Sequence, residues 1–270
     1  MTPRLRRSLI LVALMVVVAA LLFNRQRARA ARQVLLDELR PVALTNCIFE
    51  RLGGPADGGY LACANLLDEA QGAYSYGIAG TDDWGCQMAG RLKAATHEYD
   101  CFDTRPPSCA GGTLTFHAEC VGGRAQTIDG RLYDSVDGQI AKNGDTGKRL
   151  IVKMDVEGSE YESLLMMSDA QLGRVDQLVI EFHRVNGPET LALVRRLKRS
   201  FYVADLHFNN FTCDAMPALL SDLSPFPALA YEVLFVNKRL ATANPAKTAA
   251  IPNLLGAPNN PALDDCQAPS

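Results

Sequence analysis

The sequence predicts an α/β fold, a mostly parallel seven-stranded sheet with helices on both faces, and three observations carry that reading. Short β-type runs alternate with helical patterns between residues 73 and 236, the rhythm of βαβ crossovers. Two runs, LIVKM at 150–154 and QLVIEF at 177–182, are nearly continuous apolar stretches, as expected of parallel strands buried on both faces. The chain has 270 residues and 48% hydrophobic content, enough for one well-buried domain with tails.

The elements follow in order. The run at 9–23 (LILVALMVVVAALLF) holds no polar residue and is bracketed by Arg4, Arg6, Arg7 and by Arg25, Arg27, Arg29, Arg32. As a helix it would rise roughly 22 Å, short of a ~30 Å hydrocarbon core, but flanking arginines can snorkel and the bilayer can thin. We read residues 1–30 as a single-pass signal-anchor that places the protein at a membrane. A cleaved signal peptide is the rival reading, with small residues at Ala28 and Ala30 but four arginines where a cleavage region is normally uncharged. Arginines on both sides leave orientation open, including a lumenal or extracytoplasmic placement.

Residues 31–46 have helical spacing and read as a stalk or leading helix, and the globular domain is expected over 47–238. Within it, strands are expected at 73–78, 98–102, 114–118, 150–154, 177–182, 201–206 and 231–236, the last two compatible with a hairpin. Helices are expected at 87–95, 159–167 and 188–200, the last with Leu191, Val194 and Leu197 on one face. Residues 239–270 are rich in Ala, Pro and Asn and are expected to form a flexible tail.

Composition excludes some functions. Net charge is −3 and the charges are interspersed, so no nucleic-acid footprint is present. Eight cysteines, an even number beside an export-type N-terminus, suggest disulfides in an oxidising compartment. No C-x-x-C pair occurs, and no metal site is assigned. Asn210-Phe211-Thr212 is a glycosylation sequon.

In an open parallel sheet, ligands bind outside the carboxyl ends of the strands, where strand order reverses. After the first strand comes Gly77-Ile78-Ala79-Gly80, whose glycines let backbone approach a ligand. It is not a dinucleotide G-x-G-x-x-G fingerprint, and Gly144-Asp145-Thr146-Gly147-Lys148-Arg149 lacks both the Walker A spacing and the Ser/Thr after Lys. After the second strand comes Asp103. Alone it reads as a cap or turn aspartate; beside the glycine loop at the right strand interval it reads as an acceptor for the hydroxyls of an adenosine ribose. After the 150–154 strand, Asp155 and Glu157 leave a buried edge ahead of a Gly158 turn. Carboxylates there are costly unless they cap, bind a cation or act on a ligand.

The segment Ile151-Val152-Lys153-Met154-Asp155-Val156-Glu157-Gly158-Ser159-Glu160 resembles the "LKIDVEGAE" signature of FkbM-type methyltransferases and their methyltransferase-like relatives. In the family's order, Arg51-Leu52-Gly53-Gly54 with Asp57-Gly58-Gly59-Tyr60, Ser75-Tyr76-Gly77-Ile78, Phe102-Asp103, Glu181-Phe182-His183 and His207-Phe208-Asn209-Asn210 are similar to its other motifs, from about Arg51 to Val236. The resemblance implies a Rossmann-like class I methyltransferase that binds S-adenosyl-L-methionine and methylates a hydroxyl on a glycan or small molecule. Gly77, Ile78, Ala79 and Asp103 would then hold the cofactor, and Asp155, Glu157 and His183 would face the donor methyl and the acceptor. His183 is the natural proton acceptor near neutral pH. Where the family has "D-W-S-F-E", this chain has Asp83-Trp84-Gly85-Cys86-Gln87. That departure motivates the alternative, a methyltransferase-fold binding protein without catalysis, anchored to a membrane.

Overall fold

The structure is a computed structural model that describes residues 3–185, 187–213 and 226–266. Seven strands form one sheet: β1 (Gly72–Tyr76), β2 (Thr96–Tyr99), β3 (Leu114–His117), β4 (Leu150–Met154), β5 (Val175–Phe182), β6 (Phe201–Phe208) and β7 (Tyr231–Asn237). Their order is β6-β7-β5-β4-β1-β2-β3. From β5 to β3 all neighbours are parallel, whereas β7 runs antiparallel to both β5 and β6. The sheet is therefore mixed but mostly parallel, with β6 and β7 paired as the sequence allowed.

The apolar strands β4 and β5 are buried along their whole length. Alternate side chains divide between two cores. Val152, Met154, Leu178 and Ile180 pack in the larger one, with Ile151 and Val179 in the other. The larger core takes in Leu35, Leu36 and Leu39 of helix α1 (Pro3–Leu39) and Trp84 and Met88 of α2 (Asp83–Leu92) belong to the smaller, with Leu52 and Tyr60 of the hairpin Phe49–Gly53/Gly59–Cys63. Val136 and Ile140 of α3 (Val136–Lys142), Leu164 of α4 (Glu160–Met166) and Leu193 and Leu197 of α5 (Pro188–Ser200) complete the larger core.

Three differences from the sequence reading have local causes. Helix α2 begins at Asp83 rather than 87, because the Asp82 side chain caps it by accepting from the Gly85 amide at 2.8 Å. Residues 31–46, expected as a stalk or leading helix, continue α1 only to Leu39 before the strand Val42–Leu44; the last turns of α1 belong to the core, and Glu38 bridges Arg195 and Lys198 of α5. The expected flexible tail is also corrected over its described part. Ala243–Thr248 pairs antiparallel with Val42–Leu44, Asn259 is buried, and Cys266 is disulfide-bonded to Cys213. Backbone pairing and a covalent link supply what its apolar content cannot.

The other disulfides are Cys47–Cys63, Cys86–Cys109 and Cys101–Cys120, so all eight cysteines are paired. Large apolar side chains of α1 from Leu14 to Phe23 are exposed. Among the described residues no helix is long and apolar enough to cross a membrane.

Candidate functional site

The strand order turns between β1 and β4, and their carboxyl ends open a crevice there. Gly77 leaves β1 at φ 75°, and a Cβ on it would overlap the Asp155 carbonyl oxygen leaving β4. Only glycine fits where the two strand ends come this close. Lys153 Nζ donates to the Gly77 carbonyl at 2.6 Å and fixes the bend from below.

Asp100, directly after β2, organises the rim. One carboxylate oxygen accepts the amides of Ile78 and Ala79 at 3.1 and 2.9 Å; the other accepts those of Phe102 and Asp103 at 2.8 and 3.0 Å. It therefore ties the glycine loop to the loop that carries Asp103. Sequence reasoning passed over it because Asp103 matched a motif and the strand was expected to run on to 102. The only signal available was an acid at the strand's true end.

These loops enclose a cavity of about 390 Å³ lined by Gly77, Ala79, Asp100, Phe102 and Asp103 on one side and Asp155, Val156 and Glu157 on the other. That is within the usual range for small-molecule sites. Glu119, Tyr133 and the Cys101–Cys120 disulfide complete the wall. Ile78 is not among the lining residues: its side chain is buried and its amide is taken by Asp100. Asp103 does line the cavity, with Arg105 Nε donating to it at 2.8 Å. The hydrogen bonds from Arg105 hold its carboxyl down at about 2, so it is ionised throughout the neutral range.

At the second wall Asp155 and Glu157 meet His183, distant from them in sequence, which lies behind the cavity lining rather than in it. His183 Nε2 lies 3.5 Å from both Asp155 Oδ1 and Glu157 Oε2 and 3.9 Å from Glu181 Oε1. Its Nδ1 faces buried Glu160 at 3.4 Å, and Glu160 also accepts the His183 amide at 3.0 Å. Glu157 is held at φ 52° and is mostly exposed. A left-handed glutamate is costly backbone, of the kind that clusters at functional sites.

Burial alone would lower the His183 pKa, but Glu160, then Glu181 and Asp155, overcome it and raise the ring to about 9. In neutral solution the ring carries a proton, which departs from the free-base role expected of it. Burial, then Asp155 and Glu232, raise Glu181 to about 8. Burial also raises Asp155, against Lys153 and His183. Tyr60 donates to Asp155 Oδ2 at 3.1 Å and Asn209 to Glu181 Oε1 at 2.8 Å. Chemically, the group can exchange protons with a ligand in the cavity or hold a cation.

The sequon is not available for modification in this fold. Asn210 is buried and its Nδ2 donates to the carbonyl of Asn260 at 2.9 Å. No protein-family model, no curated protein and no solved structure matches this chain.

Proposed function

We propose that this protein is an S-adenosyl-L-methionine-dependent methyltransferase of the class I, Rossmann-like type, acting on a hydroxyl oxygen of a glycan or small molecule. One observation carries the reading. At the reversal of strand order, a single cavity is lined on one side by the Gly77 bend and Asp103, and on the other by Asp155 and Glu157. Asp103, ionised and at the cavity wall, suits the paired hydroxyls of a ribose. The bound nucleoside supplies an electrophilic methyl on a sulfonium. The protein brings an acceptor oxygen into line with it and takes the hydroxyl proton on the carboxylates beside His183, while the glycine bend and Asp100 keep the loops preorganised.

The alternative, a binding protein without catalysis, drew on the altered Gly85-Cys86-Gln87. None of the three lines the cavity. They lie in α2, where Cys86 is bonded to Cys109 and the Gln87 side chain accepts the Gly53 amide at 3.0 Å. The departure therefore does not weigh against an active site. The exposed apolar side chains of α1, followed by arginines, support an N-terminal membrane attachment, and four disulfides support a domain facing an oxidising compartment.

The test is a product screen. Extracts incubated with the full chain and a methyl-labelled donor should yield a labelled methyl ether that Asp155→Ala abolishes. Label incorporation unchanged by Asp155→Ala would reject the assignment of this wall.

A further inference from the structure

The carboxylates beside the cavity are more numerous than a proton relay needs. We propose that Asp155, Glu181 and His183 form a binding site for one divalent cation, with Mn2+ as the representative ion.

Three donor atoms from these residues lie within 4.8 Å of one another. His183 Nε2 is 3.5 Å from Asp155 Oδ1 and 3.9 Å from Glu181 Oε1. Donors held ~2.0–2.2 Å from a shared ion stand about 3–4 Å apart, so these side chains need little movement to close on one. The mixture of carboxylate oxygen and imidazole nitrogen suits a first-row divalent ion rather than a soft one.

The surroundings are those of a metal's outer shell. Glu160 faces Nδ1 of His183 and turns Nε2 toward the two carboxylates. Tyr60 holds Asp155 through Oδ2 and leaves Oδ1 toward the imidazole, while Asn209 holds Glu181. Ligating histidines characteristically have a carboxylate on the second ring nitrogen.

A second group, Asp57, Glu181 and Glu232, shares Glu181 and concentrates negative charge at the same spot. There, buried His207 has its Nδ1 3.4 Å from Glu232 Oε2 and its Nε2 3.4 Å from Asp265 Oδ2. Asn259 is also buried, with Oδ1 lacking a partner while Nδ2 donates to Asp57 and Glu232 at 3.0 and 2.6 Å. A buried amide oxygen without a partner beside converging carboxylates marks a polar network that a cation completes. We take the first group as the seat, since Asp155 opens on the cavity and Asn259 already occupies the second.

Such an ion would bind the acceptor hydroxyl and lower its hold on its proton. That role rests on the proposed methyl transfer; the binding of the ion does not.

The test is a Mn2+ titration of the metal-stripped full chain, followed by electron paramagnetic resonance, with S-adenosylmethionine affinity measured in parallel. Wild type should take up one Mn2+ and show imidazole nitrogen coupling. Glu181→Gln and His183→Ala should each weaken uptake by about 10-fold or more, whereas Asp103→Ala should weaken nucleoside affinity and leave uptake unchanged. Mn2+ that stays free, that binds without nitrogen coupling, or that binds both variants as tightly as wild type would overturn the site. The nitrogen coupling decides on wild type alone if a variant fails to fold. Nucleoside binding without Mn2+ binding would remove the ion and keep the enzyme reading, and the reverse result would do the opposite.

Discussion

Asp100 shows how one side chain can set the shape of a site through its backbone partners. Its carboxylate accepts four backbone amides, from Ile78, Ala79, Phe102 and Asp103. Asp100→Ala would leave them without that partner and let the two loops separate. We expect nucleoside affinity to fall by ~1–3 kcal/mol, read by calorimetric titration; wild-type affinity would mean that the loops hold their shape without it. Of the residues named from sequence, Gly77, Ala79, Asp103, Asp155 and Glu157 line the cavity, and His183 joins Asp155 and Glu157 from β5's end. Ile78 does not line it. Motif position located these residues and ran through Glu160 and Glu181 as well, but the bonds of Glu160 to His183, of Glu181 to Asn209 and of Asp100 to Ile78 and Ala79 span the sequence, and spacing alone cannot reveal them.

A second residue-scale effect sits under the glycine loop. Glu98 is buried in β2 facing Asp82, with Gly85 packed between the two carboxylates. Burial, then Asp82, raises Glu98 to about 8, whereas an unfolded glutamate titrates near ~4.3. Between these values the folded state keeps a proton that the unfolded chain has released. Stability therefore falls as pH rises through that window, and levels off above it. Thermal melts from pH 5 to 8 should show this decline in wild type and a shallower one in Glu98→Gln. Parallel curves would contradict the assignment.

At the scale of elements, the segment between β2 and β3 is the least regular part of the site and the most cross-linked. Cys101–Cys120 and Cys86–Cys109 tie it to the strand beyond β3 and to α2. A closed loop of this length is worth ~3 kcal/mol in the unfolded-chain account, and here it also fixes the wall that carries Phe102 and Asp103. Replacing Cys101 and Cys120 together by serine should lower the melting temperature and weaken nucleoside affinity. A lower melting temperature with unchanged affinity would make the bridge purely structural. The strands themselves were legible, since apolar runs such as LIVKM and QLVIEF have few alternatives to burial. The start of α2 was not, because the Asp82 cap competes with the glycines that follow it.

At the scale of the molecule, the parallel sheet was readable from alternation, but the positions of the termini were not. Composition marks 239–270 as unable to fold alone, and that remains physically sound. Its described part is held from outside, by pairing with Val42–Leu44, by Asn259 contacts to Asp57 and Glu232, and by Cys266. Asp155, Glu181 and His183 each stood within a motif, but the convergence of their donor atoms from the ends of β4 and β5 was not legible in the sequence. The central claim joins these scales: a parallel sheet, reversing order between β1 and β4, presents a preorganised nucleoside crevice. Calorimetric titration of the full chain with S-adenosylmethionine tests it most directly. The account predicts saturable one-to-one binding, weakened by ~1–3 kcal/mol in Asp103→Ala. No heat of binding to wild-type protein, or equal affinity in the two proteins, would contradict it.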